Sequence, residues 1–197
     1  MRSRLLTMIA LALVTTFGSA MAYAGPATDA VKEKQTALFE LIGKPQTDEV
    51  QAQIRAIFDA WLDYGYLAKA SLGKHWDTLS DDQHKEFSGL LEQLVRKSYR
   101  KNLNKVLGYE INYDTESSAD GDATVVKMRA KSRTDASEPI IEIDFTVKES
   151  SGRWLVLDIA PEGASLVKTY RSQFTKILQR DGYPALVAKM RAKIAQD

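Results

Sequence analysis

The sequence predicts an α+β fold, a four-stranded, curved antiparallel sheet wrapped by helices that precede and follow it. Three observations carry this. Apolar residues recur every three or four positions from Thr28 to Leu107. At Gly108 the period switches to two and stays so to Ile159. Helical spacing then returns from Ser165 to Ala195.

The first helix runs from Thr28 to Ile42, with Val31, Leu38 and Leu41/Ile42 on one side and a stop at Gly43 and Pro45. Thr47 is a good N-cap for the second, with Asp48 and Glu49 in its first turn and Val50, Ile54, Ile57, Phe58, Trp61 and Leu62 at helical spacing. Asp63 caps a short third helix that carries Tyr64, Leu67 and Ala68 and ends at Gly73. Ser80-Asp81-Asp82-Gln83 is a capping box opening a long helix, whose stripe runs through Phe87, Leu90/Leu91, Leu94/Val95, Tyr99, Leu103 and Val106/Leu107.

Tyr109, Ile111 and Tyr113 alternate with polar residues in the first strand. A polar turn over 117–122 leads to Val126, Met128 and Ala130 in the second. Ile141, Ile143, Phe145 and Val147 mark the third, and Ser150-Ser151-Gly152 turns the chain into the fourth at Trp154. Such a sheet, apolar on one face, needs a cover. The helices on either side of it in sequence, ending with Ser165 to Arg180 and Pro184 to Ala195, supply one.

Residues 1–24 read as a secretory signal, with Arg2 and Arg4, an apolar core from Leu5 to Phe17, and Ala22-Tyr23-Ala24 as the cleavage site. The core is too short for a membrane span of about 20 residues. Residues 25–197 then form a single domain. Removing the two arginines from 27 basic residues leaves 25 against 26 acidic ones. Nothing in that balance draws the chain towards nucleic acid. With no cysteine, disulfides and thiol chemistry are excluded.

Signs of catalysis are sparse. His75 and His84 lack metal-ligand spacing, and His84, in the first turn of a helix, is expected to face solvent. No catalytic residues and no metal ligands are assigned. Glu142 and Asp144 fall on the polar side of a strand. Asp158 shares a strand face with Trp154 and Val156 by simple alternation and could point inward as a catalytic carboxylate. The blander account has it hydrogen-bonded to helix-start amides, or to Arg171 or Tyr170. Basic residues cluster at Arg96, Lys97, Arg100, Lys101 and Lys105, and again from Lys127 to Arg133; they form solvated faces or dock acidic partners or a lipid headgroup.

Two stretches go further. Pro161-Glu162-Gly163-Ala164-Ser165-Leu166-Val167-Lys168-Thr169-Tyr170-Arg171-Ser172-Gln173-Phe174 follows directly on the last strand. Upstream stand Leu62-Asp63-Tyr64, then Leu67 through Trp76, Leu79-Ser80, and Gln83 to Phe87. Together they resemble the signature of the MlaC-like, or toluene-tolerance, family of periplasmic lipid-binding proteins over roughly residues 28–190. Tyr170 to Phe174 matches the family's Asn-Tyr-Arg-x-Gln-Phe stretch, with Thr169 in place of Asn. Ala160-Pro161 and Ala164 depart from the usual apolar residues.

The resemblance implies an NTF2-like cone with a lipid cavity between sheet and helices, and no enzymatic activity. It implies a periplasmic carrier that shuttles phospholipid between an outer-membrane lipoprotein/porin complex and an inner-membrane ABC transporter with an MCE-type subunit, maintaining outer-membrane lipid asymmetry. No cofactor is implied, only phospholipid as cargo. Candidate cavity residues are Tyr64, Leu67, Leu72, Trp76, Phe87, Leu91, Val95, Tyr99, Ile111, Tyr113, Val126, Met128, Ile141, Ile143, Phe145, Val156, Val167, Tyr170 and Phe174. Core packing accounts for the Tyr170/Phe174 stripe equally well. A hopanoid or other apolar cargo, or a cavity enzyme using Asp158, are the alternatives.

Overall fold

The computed structural model describes residues 25–103 and 107–196, and the side chains of all of these except 99–103. The expected signal at 1–24, the side chains of Tyr99, Arg100, Lys101 and Leu103, and Lys105 and Val106 lie outside the described residues. In chain order the elements are α1 (Pro26–Ile42), α2 (Asp48–Trp61), α3 (Tyr64–Leu72), a 3₁₀ turn (Gly73–Thr78) and α4 (Asp81–Leu103). Then come β1 (Tyr109–Tyr113), β2 (Ser117–Ser118), β3 (Thr124–Ser132), β4 (Ile141–Ser150), β5 (Arg153–Pro161) and α5 (Leu166–Ala195).

The helix starts follow local chemistry. Thr47 Oγ1 accepts from Val50 N at 3.3 Å, and Asp63 Oδ1 from Tyr66 N at 2.8 Å. Ser80 N donates to Gln83 Oε1 at 2.9 Å while Gln83 N donates to Ser80 Oγ at 3.3 Å, which is the capping box. Gly73 ends α3 at φ +55°, a conformation that costs a side-chain-bearing residue energy. α1 is different. It has no cap of its own, and Glu116, far along the chain before β2, accepts from Thr28 N at 2.6 Å.

The sheet is antiparallel in the order β1-β3-β4-β5, so the expected meander stands. One part of the expected polar turn does not. Ser117 and Ser118 pair with Val125 and Thr124 as an extra two-residue strand, because β3 outruns β1 and its remaining backbone groups need partners. Ser151 and Gly152, both at positive φ, make the tight turn between β4 and β5.

A register shift between β4 and β5 decides the face that Asp158 takes. Val147 pairs with Val156 but Thr146 with Asp158, leaving Leu157 as the extra residue of a bulge. Because Thr146 and Val147 are adjacent, Asp158 and Val156 face opposite sides of the sheet. The face that simple alternation assigned to Asp158 is thereby corrected.

α1 packs across β3, β4 and β5, and its inward stripe of Val31, Gln35 and Leu38 is fully buried. Val126, Phe145, Val147 and Val156 have no exposed surface, and the Trp61 ring lies 5.7 Å from that of Phe145. Leu62 bridges to Val156, and Asp63 N donates to Val156 O at 3.0 Å, covering the outer edge of β5. On the polar face of the sheet Lys127 pairs with Asp144 and Arg129 with Asp114, so these cations are not a bare patch.

Candidate functional site

Asp158 organises one end of α5. Its Oδ1 accepts from Val167 N at 3.0 Å and from Ile159 N at 2.9 Å, and its Oδ2 accepts from the Ser165 hydroxyl. Ser165 in turn caps the helix by accepting from Lys168 N at 3.0 Å. This is the carboxylate on helix-start amides that the sequence offered as the blander alternative. Arg171 is elsewhere, donating to Ala70 O at 2.7 Å.

From that anchor α5 runs alongside α4. The Tyr170 and Phe174 rings stack at 5.2 Å, and Phe174 meets Phe87 of α4 edge-on at 5.4 Å. At Gly182 (φ 78°, ψ 178°) the helix breaks, and Pro184 restarts it, so α5 is two segments, as the sequence predicts. The second segment is pinned to α4 at both ends. The Tyr183 hydroxyl lies 2.9 Å from Gln83 O and 3.1 Å from Glu86 Oε2, and Arg191 pairs with the same Glu86 at 2.8 Å. Lys97 Nζ donates to Ile194 O at 3.0 Å.

Between α4 and the two segments of α5 lies a groove of about 460 Å³. Leu94, Phe174, Ile177, Leu186 and Met190 form its apolar walls; Lys97, Ser98, Tyr170, Gln173, Lys189, Lys193 and Gln196 complete the lining. Burial pushes the Tyr170 hydroxyl pKa up, so the group stays a neutral donor. The arrangement suits an amphiphile. It offers hydrocarbon a dry surface and offers a polar end three ammonium groups.

Of the candidate cavity residues, Leu67, Leu72, Phe87, Leu91, Val95, Val126, Met128, Phe145, Val156, Val167 and Phe174 are buried together in one apolar cluster. Tyr64, Trp76, Ile111, Tyr113, Ile143 and Tyr170 pack half-buried against it. Ile141 is half-buried at the start of β4. Among the described residues of this set, Tyr170 and Phe174 alone also line the groove. The sequence reading missed Ile177, Leu186, Met190, Lys189 and Lys193 as site residues, while Lys97 belongs to the basic cluster it offered for a lipid headgroup. The stripe through Tyr170, Phe174 and Ile177 was visible, but its pairing with residues beyond the Gly182 break was not.

Two surface assignments change. His84 is half-buried rather than facing solvent: its ring stacks on Trp76 at 4.0 Å, with Nε2 2.8 Å from Trp76 O. Arg96 leaves the basic cluster, pairing with Asp59 and Glu92 over the Tyr64 ring. Among the described residues, no group of three or more His, Cys, Asp or Glu side chains is placed to hold a metal ion. Among them, too, no helix is long and apolar enough to cross a membrane.

The model of the MlaC protein family matches residues 30–192. This chain belongs to the MlaC family. A curated relative, the intermembrane phospholipid transport system binding protein MlaC of Haemophilus influenzae, is 22% identical over 138 residues, 69% of this chain and 64% of that protein. The match thus spans less than two thirds of the relative's length. Among solved structures, the phospholipid-binding protein of Ralstonia solanacearum in complex with a phospholipid superposes with a TM-score of 0.67 at 21% identity. The superposition covers 85% of this chain and 94% of that one, and shows the shared fold. The MlaC-family chain and its relative's description as a binding protein agree with the non-enzymatic expectation.

Proposed function

We propose that this MlaC-family chain is a periplasmic carrier whose groove between α4 and the two segments of α5 takes up the acyl chains of a phospholipid. The groove carries this reading, because apolar walls rimmed by lysines match an amphiphile better than a small polar substrate. The names of its relatives support the same ligand class. Each buried methylene contributes about 0.8 kcal/mol, so a lipid with on the order of 30 of them resists crossing water by roughly 24 kcal/mol. A carrier removes that barrier without chemistry. Since a bilayer shelters the chains equally well, direction comes from the partners or ATP. The resemblance names the partners as an outer-membrane lipoprotein/porin complex and an inner-membrane ABC transporter with an MCE-type subunit.

The test is solvent extraction and mass spectrometry of protein purified without detergent from the periplasmic fraction. Phospholipid near one molecule per chain is the expected result. Protein that releases no lipid, and melts at the same temperature before and after extraction, would overturn the carrier reading. A hopanoid or other apolar molecule in the extract would change the cargo and keep the carrier.

A further inference from the structure

We propose that the groove selects its cargo by headgroup charge, with Lys97, Lys189 and Lys193 gripping the phosphate of a net-anionic glycerophospholipid. This rests on the carrier reading and adds which lipid the site prefers. Among the described residues lining the groove, three are cationic and none is anionic. Lys97 of α4 reaches across to the carbonyl of Ile194, the residue next to Lys193, which sets the Lys97 ammonium at the last turn of α5. That end of a helix carries partial negative charge and favours cations.

Lys189 and Lys193 stand four apart on α5, a spacing that sets like charges on one helix face and is unfavourable for a bare helix. An anion held between them removes the conflict. Lys189 does have a carboxylate neighbour, Asp181 at 2.9 Å, but Asp181 is shared with Arg180 at 2.8 Å and does not line the groove. Leu186 and Met190, buried in the same groove lining, give the site an apolar wall beside these lysines. A lipid with its chains on those walls presents its phosphate at this rim. A zwitterionic headgroup brings an ammonium of its own into the same positive field; a glycerol headgroup does not.

The experiment exchanges purified protein against vesicles containing equal amounts of phosphatidylglycerol and phosphatidylethanolamine with identical deuterated chains, then counts deuterated lipid on the re-isolated protein by mass spectrometry. Wild type is expected to enrich phosphatidylglycerol by about threefold for each lysine engaged, as a partly exposed ion pair allows. High salt should shrink the ratio. Lys189→Gln with Lys193→Gln should lower it about ninefold, to the roughly threefold preference that Lys97 alone supports, while Lys32→Gln, on exposed α1 surface, should leave it alone. Loading without preference in wild type, or a preference untouched in the double variant, would overturn the inference and spare the carrier. Failure to load any lipid would sink the carrier reading itself. Preference lost to inorganic phosphate but not to chloride at equal ionic strength would mark a free-phosphate site and overturn the headgroup assignment.

Discussion

Replacing Asp158 by alanine tests whether this carboxylate is a structural cap or a catalytic group. The substitution strips Val167 N of its acceptor at 3.0 Å, Ile159 N of its acceptor at 2.9 Å, and Ser165 of a partner for its hydroxyl. A part-buried amide left unsatisfied costs about 1–3 kcal/mol. Losing the support of an N-cap costs about 0.5–2 kcal/mol. The contacts share one carboxylate and do not add in full, so about 2–4 kcal/mol is expected. For a domain of this size each kcal/mol moves Tm by about 2–4 °C, which gives a drop of about 4–16 °C. Asp158→Asn keeps an oxygen acceptor and should cost about half as much. Urea unfolding followed by circular dichroism reads both, with an unchanged m-value showing that only stability moved. An alanine variant within about 0.5 kcal/mol of wild type would refute the capping argument. An asparagine variant of normal stability that lost a turnover would restore Asp158 as a catalytic candidate.

Aspartate at two apolar positions should separate the groove from the packed core. Val126→Asp buries a carboxylate where nothing is exposed and should unfold the chain, whereas Ile177→Asp, on the half-buried groove wall, should leave it folded but without lipid, read by circular dichroism and extraction on one sample. A folded Val126→Asp, or an Ile177→Asp that keeps its lipid, contradicts the assignment. Gly182→Ala forces a side chain into backbone angles that essentially only glycine adopts, so about 1–3 kcal/mol should be lost in a urea melt; a neutral result would mean the joint is not strained for other residues. Burial pushes the Tyr113 pKa up to about 12 from an ordinary 10, so the folded state resists ionisation there. Stability should therefore be intact below pH 10 and decline as pH rises to 12, and Tyr113→Phe should flatten that decline.

Local chemistry was legible in the chain. Thr47, Asp63 and the Ser80–Gln83 pair cap the helices the sequence assigns to them, because a cap is decided within three or four residues. The period-two stretches became β1, β3, β4 and β5 in meander order, since alternation encodes which face is buried. The stretch from Pro161 to Phe174 pointed to the family that the later comparison assigned.

By itself the sequence determined the α+β class, the starts of every helix after the first, the strand faces up to the bulge and the MlaC membership. Each rests on residues near one another in the chain or on their pattern. Tertiary structure alone decided that Leu157 bulges and turns Asp158 onto the helix cap, that Glu116 caps α1, and that Ser117 and Ser118 extend the sheet. It also decided that Lys97, Lys189 and Lys193 meet around one groove. Periodicity states which side of an element turns inward but carries no distance to another element. That distance is set when packed side chains bring together positions up to about a hundred residues apart, such as Tyr183 and Gln83.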